Sequence, residues 1–87
     1  MKALLFYRPN SEHGQAVDEY LREFTQRTSK ELPTVDVDSR DGIALCEQYD
    51  VVHYPTILAL DDQGRELQRW DGEFLPQINE VSYYTQG

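Results

Sequence analysis

The chain has 87 residues, 16 of them acidic and 8 basic, for a formal net charge of −8. That length makes one domain, residues 1–87, near the small end of what folds without staples, and excludes a second. The charge repels a phosphate backbone, which excludes nucleic acid as a partner. The single cysteine, Cys46, rules out an intramolecular disulfide and any Cys-x-x-Cys metal or redox motif. The apolar run near the start is far too short for a signal or a membrane span, so the chain reads as a soluble, cytoplasmic protein.

Residues 3–7 are continuously apolar without alternation and are closed by Pro9 and Asn10, which predicts a strand covered on both faces. Asn10 or Ser11 can cap a helix of about five turns, whose apolar positions Val17, Tyr20, Leu21 and Phe24 follow helical spacing. This helix should fade between residues 29 and 33. Residues 34–38 alternate polar with apolar, as in an edge strand. Ser39 or Asp41 then caps a short helix that should bury Ile43, Leu45, Cys46 and Tyr49, despite Gly42 in its first turn. Pro55 cannot donate to a ladder and fits the mouth of a strand, with Thr56–Leu60 the fully covered run behind it. Residues 61–64 form a hairpin turn, with Gly64 where a positive φ is needed, and residues 65–70 return as an antiparallel edge strand. Asp71 and Gly72 break that strand. Pro76 suits the first turn of a last helix containing Ile78, Val81 and Tyr84.

The resulting order is β-α-β-α-β-β-α. It predicts an α/β domain with a four-stranded mixed sheet in the order 2-1-3-4, the first and third helices on one face and the second on the other. This order resembles the minimal thioredoxin-like fold, as in glutaredoxins, over nearly the whole chain. The local text agrees: Val35-Asp36-Val37-Asp38, a helix running into Val51-Val52, His53-Tyr54-Pro55-Thr56, the Gly64 hairpin, and Trp70-Asp71-Gly72. The resemblance implies that the Tyr54–Pro55 bond is cis and that its loop faces the start of the first helix.

Laying Phe6-Tyr7 on that family's first strand puts Ser11, Glu12, His13 and Gly14 where the family carries its Cys-x-x-Cys. Thiol–disulfide exchange needs a thiolate, and a serine hydroxyl cannot form the mixed disulfide. The resemblance therefore implies the fold without the family's activity. Cys46, on a helix expected to face away from that site, reads as a small buried hydrophobe. Ser11 reads as an N-cap; its functional alternative follows from some glutathione transferases, which keep a serine there to hydrogen-bond the thiol of glutathione. That alternative makes the chain a glutathione-linked transferase or reductase, with glutathione its cofactor. Against it, Asp71-Gly72-Glu73 stands where the family's Glu-Ser pair reads the γ-glutamyl group.

His13 and His53 are expected near one cleft as solvated side chains rather than zinc ligands, and Ser11-Glu12-His13 as helix neighbours that point apart and make no catalytic triad. The acidic runs read as strand-end and turn residues without the spacing of a calcium loop. No catalytic residue and no metal site are assigned. The primary reading is a redox-inactive module that binds a protein or peptide through Ser11, Glu12, His13 and Gly14 with His53, Tyr54 and Pro55. Trp70, Phe74, Tyr83 and Tyr84 crowd aromatic rings into the last quarter of the chain, enough for a protein-contact surface or a homodimer seam.

Overall fold

The computed structural model describes residues 1–72 and 74–86; Glu73 lies outside the described residues. Seven elements follow in order: β1 (Lys2–Tyr7), α1 (Gly14–Thr28), β2 (Thr34–Asp36), α2 (Arg40–Tyr49), β3 (Thr56–Leu60), β4 (Glu66–Asp71) and α3 (Ile78–Tyr83). The strands form one sheet in the order β2-β1-β3-β4, with β1 parallel to β2 and antiparallel to β3, and β3 antiparallel to β4. The two uniformly apolar runs take the two central places, as their composition requires.

All five residues of β3 are buried, and the alternation of a strand sends them to opposite faces. Ile57 joins Ala3, Leu5, Val17, Phe24, Ile78 and Val81 on the α1 and α3 side. Leu58 and Leu60 join Phe6, Val37 and Val51 on the other side, against half-buried Leu45, Cys46 and Tyr49 of α2. The helices therefore divide between the two faces as the order of elements predicts. The Tyr54–Pro55 bond before β3 is cis. Among the described residues no helix is long and apolar enough to cross a membrane.

Several boundaries differ from the sequence reading for identifiable reasons. β2 ends at Asp36 because the Asp36 carboxylate accepts the Asp38 N–H at 2.9 Å and turns the chain, while Val37 still enters the core. Ser39 caps α2, its hydroxyl accepting the Gly42 N–H at 2.9 Å. An ideal Cβ on Gly42 would sit 1.8 Å from the Asp36 carbonyl oxygen, so only glycine permits this approach of helix to strand. That approach centres the inward stripe on residues 42, 45, 46 and 49 and turns Ile43 to solvent, 49% exposed, where burial was expected. Pro76 precedes α3 instead of entering it, because Gln77 is the N-cap, its N–H donating to the Glu80 carboxylate at 3.3 Å, and the helix starts at Ile78. The hairpin carries Gly64 at φ 80°. β4 extends through Asp71, which pairs with Thr56, and bulges where Leu60 pairs with Glu66 while Ala59 pairs with Gln68.

Arg69 of β4 fastens the sheet to α2. Its guanidinium donates to the carbonyls of Tyr49 and Asp50, at the end of α2, and to Glu66 at 2.8 Å. A cation on those terminal carbonyls also suits the negative end of the helix dipole. The hydrogen bond from Arg69 holds the Glu66 carboxyl below its ordinary value of 4.5, so its contribution to stability is present above that value and lost as pH falls through the lowered one. Arg69→Met should destabilise the domain by about 1–2 kcal/mol in urea titrations. Glu66→Gln should lower stability at neutral pH, with the difference from the parent closing in acid; a constant difference would contradict this linkage.

Candidate functional site

β1 emerges from the core at its carboxyl end into Arg8, and Arg8 organises the loops around it. Its guanidinium donates to both carboxylate oxygens of Asp38, at 2.9 and 3.2 Å, and lies 5.6 Å from the centroid of the Tyr54 ring. This bidentate pair and cation–π contact join the end of β1, the entry to α2 and the loop before β3. Neither Arg8 nor Asp38 was singled out from sequence. The available signal was a charged residue directly after an all-apolar strand.

The backbone of Arg8 shapes the segment before α1. Ser11 donates its hydroxyl proton to the Arg8 carbonyl at 2.6 Å, and its N–H reaches the same oxygen at 3.2 Å. The Arg8 N–H donates to His13 Nε2 at 3.2 Å, and Ser11 Oγ lies 3.1 Å from His13 Nδ1. A backbone N–H can only donate, so Nε2 is the acceptor and Nδ1 carries the proton that it gives to Ser11 Oγ. Ser11 thus bonds backward to a carbonyl instead of forward to helix N–H groups, and α1 begins at Gly14 with His13 as its N-cap. This corrects both the expected start and the expected five turns, since the helix has 15 residues, about four turns.

The same geometry corrects the expectation that Ser11 and His13 point apart. They meet because residues 9–13 form turns rather than helix. The pair is still no nucleophile and base, because the histidine donates to the serine and the serine proton is held by a carbonyl. His13 is half-buried and bonded where a solvated ring was expected, whereas His53 and Glu12 are exposed. Gly14 is buried under Pro9, whose carbonyl oxygen would lie 2.2 Å from an ideal Cβ. Among the described residues, no group of three or more His, Cys, Asp and Glu side chains is placed to hold a metal.

In the loop before β3, Val52 and His53 are exposed, Tyr54 is half-buried and Pro55 is buried. Thr56 Oγ1 donates to the His53 carbonyl at 2.7 Å, and the sheet pairing of β3 begins at Thr56. Among the described residues, the N–H and C=O of Tyr54 have no hydrogen-bond partner. Burial first, and then the neighbouring Cys46 thiol, raise the pKa of the Tyr54 hydroxyl above its ordinary value. Cys46 is therefore half-buried beside this loop, rather than fully buried away from it.

A groove of about 780 Å3 lies elsewhere, between the C-terminal half of α1 and the segment leading into α3. Its Tyr20 hydroxyl is buried without a partner among the described residues, and burial, Glu80 and Glu23 push its pKa up to about 12. That oxygen is sealed from solvent, and the groove shares no residue with the Arg8 loops.

The sequence matches no protein-family model and no curated protein. Solved structures do match. Thioredoxin 1 from the thermophilic eubacterium Thermosipho africanus is 21% identical with a TM-score of 0.67, covering 97% of this chain and 89% of that one. A malarial protein is 20% identical with a TM-score of 0.69, covering 94% and 89%. Mitochondrial thioredoxin 3 from Saccharomyces cerevisiae is 16% identical with a TM-score of 0.67, covering 93% and 72%. The chain thus has the thioredoxin-like fold without a Cys-x-x-Cys.

Two measurements probe the Arg8 loops. Nitrogen NMR of His13 in its neutral form should find the proton on Nδ1; a proton on Nε2 would break the assigned bonding. Gly14→Ala should destabilise the domain by about 1–3 kcal/mol, because the added methyl overlaps a backbone oxygen. An unchanged denaturation midpoint would show that Pro9 is free to retreat.

Proposed function

We propose that this domain is a redox-inactive binding module of the cytoplasm, which receives an extended segment of a protein or peptide partner on the loop before β3. The observation that carries the reading is that the N–H and C=O of Tyr54 have no hydrogen-bond partner among the described residues, beside exposed Val52 and His53 and immediately outside the sheet. A donor and an acceptor on one residue suit the main chain of an extended peptide, as in strand addition. Ser11, Glu12 and His13, with Gly14 buried behind them, form the second wall of this binding surface. The bonds from Ser11 and His13 to Arg8, together with the Arg8–Asp38 pair, hold that wall in a fixed shape before binding, which limits the ordering cost.

The chemistry of the side chains supports a module without redox turnover. Disulfide exchange requires an attacking thiolate, and position 11 offers a hydroxyl whose proton is engaged by a carbonyl. The same engagement weighs against the glutathione-linked alternative, in which Ser11 would donate to the ligand's sulfur. A thermal-shift comparison separates the two readings, because a ligand that binds only the folded state raises the midpoint. Glutathione and its disulfide should leave it unchanged.

A random-sequence peptide pool should shift the backbone amide signals of residues 52–54 and 11–14 in nitrogen–proton spectra and slow exchange of the Tyr54 N–H. Midpoints raised by glutathione, with those amides unmoved by peptides, would overturn the reading. With dithiothreitol as donor, the protein should not accelerate insulin disulfide reduction, and turnover persisting in Cys46→Ser would refute its redox inactivity.

A further inference from the structure

A second site lies where β4 meets α3, and it shares no residue with the Arg8 loops. Gln68 and Trp70 are two apart on β4 and so face the same way, while Glu80, Tyr83 and Tyr84 are spaced i, i+3, i+4 along α3 and its C-cap. These five residues line one recess of about 240 Å3. The Trp70 and Tyr84 ring centroids are 5.5 Å apart with planes at 70°, and those of Tyr83 and Tyr84 are 5.0 Å apart at 82°. Both are edge-to-face contacts, so Tyr84 joins Trp70 and Tyr83 into one aromatic cluster along the recess.

The geometry points to a cage for a methylated ammonium cation. Aromatic faces carry negative quadrupole potential, and three rings lining one recess supply attraction for a cation. Glu80 adds a carboxylate, and no lysine or arginine lines the recess. One Glu80 oxygen, Oε2, accepts the Gln77 N–H at 3.3 Å, which fixes the carboxylate, while Oε1 has no partner among the described residues. The net charge of −8 draws cations toward the whole surface. Methylation selects among them: a bare ammonium is a strongly hydrated point charge that loses much on entering an aromatic recess, whereas a methylated one spreads its charge over apolar surface. A recess below the roughly 300 Å3 of a drug-sized pocket suits one such group. Tyr83, 56% exposed, leaves the recess open to solvent.

Trp70 is the only tryptophan and reports directly on the recess. At constant ionic strength, choline chloride should change its fluorescence saturably, with a dissociation constant on the order of 1 mM. The uncharged isostere 3,3-dimethylbutan-1-ol should bind roughly tenfold more weakly, and lysine more weakly than N-trimethyllysine. Tyr83→Leu and Glu80→Gln should each weaken choline binding about two- to fivefold, in variants whose circular dichroism shows them folded. Tighter binding of choline than of N-trimethyllysine identifies a free or lipid headgroup as the source, and the reverse order a modified protein side chain; either supports the cage. Equal binding of the uncharged isostere would reduce the recess to an apolar patch and overturn it. No saturable change, or the same change with potassium chloride, would overturn it too.

Discussion

Burial of β3 on both faces is the constraint from which the rest of the structure follows. A strand with five buried residues has no side available to water, so each face must be covered by a helix layer. The chain meets this with α1 and α3 on one side and α2 on the other, and the two apolar clusters meet only through the sheet. β1, with Ala3, Leu5 and Phe6 buried, takes the adjoining central place. The short β2 and the polar β4 are left for the edges. Both central strands then deliver their loops to one end of the sheet, since β1 leaves where antiparallel β3 enters. Arg8 and Tyr54 become neighbours because of this topology, although they are far apart in the chain.

The Arg8 loops show how polar side chains can be committed to holding a backbone in shape. Here a serine and a histidine close a small ring of hydrogen bonds around the Arg8 peptide, and their polar atoms serve the backbone. The Arg8 side chain meanwhile reaches across to Asp38 and Tyr54, joining three loops with one guanidinium. The result is a set of three loops whose relative positions are fixed by hydrogen bonds and one ion pair.

The fold was legible because its signals are local and strong. Two unbroken apolar runs mark the central strands, helical spacing marks the buried face of α1, and Ser39 marks the start of α2. The candidate site was less legible because its decisive contacts join distant residues. Whether Ser11 bonds forward as a cap or backward to Arg8 depends on where β1 ends and turns, which no local pattern states. The partner of Arg8 is 30 residues away. Ile43 was misplaced for a similar reason: the stripe of α2 rotates to suit the contact between Gly42 and Asp36, a relation between two elements. Trp70, Tyr83 and Tyr84 were visible as an aromatic concentration, but the recess that they line with Glu80 appears only when β4 and α3 are brought together.

The bulge in β4 bears on how the sheet behaves among other copies of itself. An open strand edge is a template on which a second molecule can extend the sheet, and regular, unbroken pairing groups make the best template. Here Leu67 falls at the irregularity, so a straight strand arriving there would lose register midway. Arg69 and Glu66 also set charge along that edge. At the opposite edge β2 offers only three residues, too few for a long ladder. Both rims of the sheet are therefore poor seeds for self-propagating assembly.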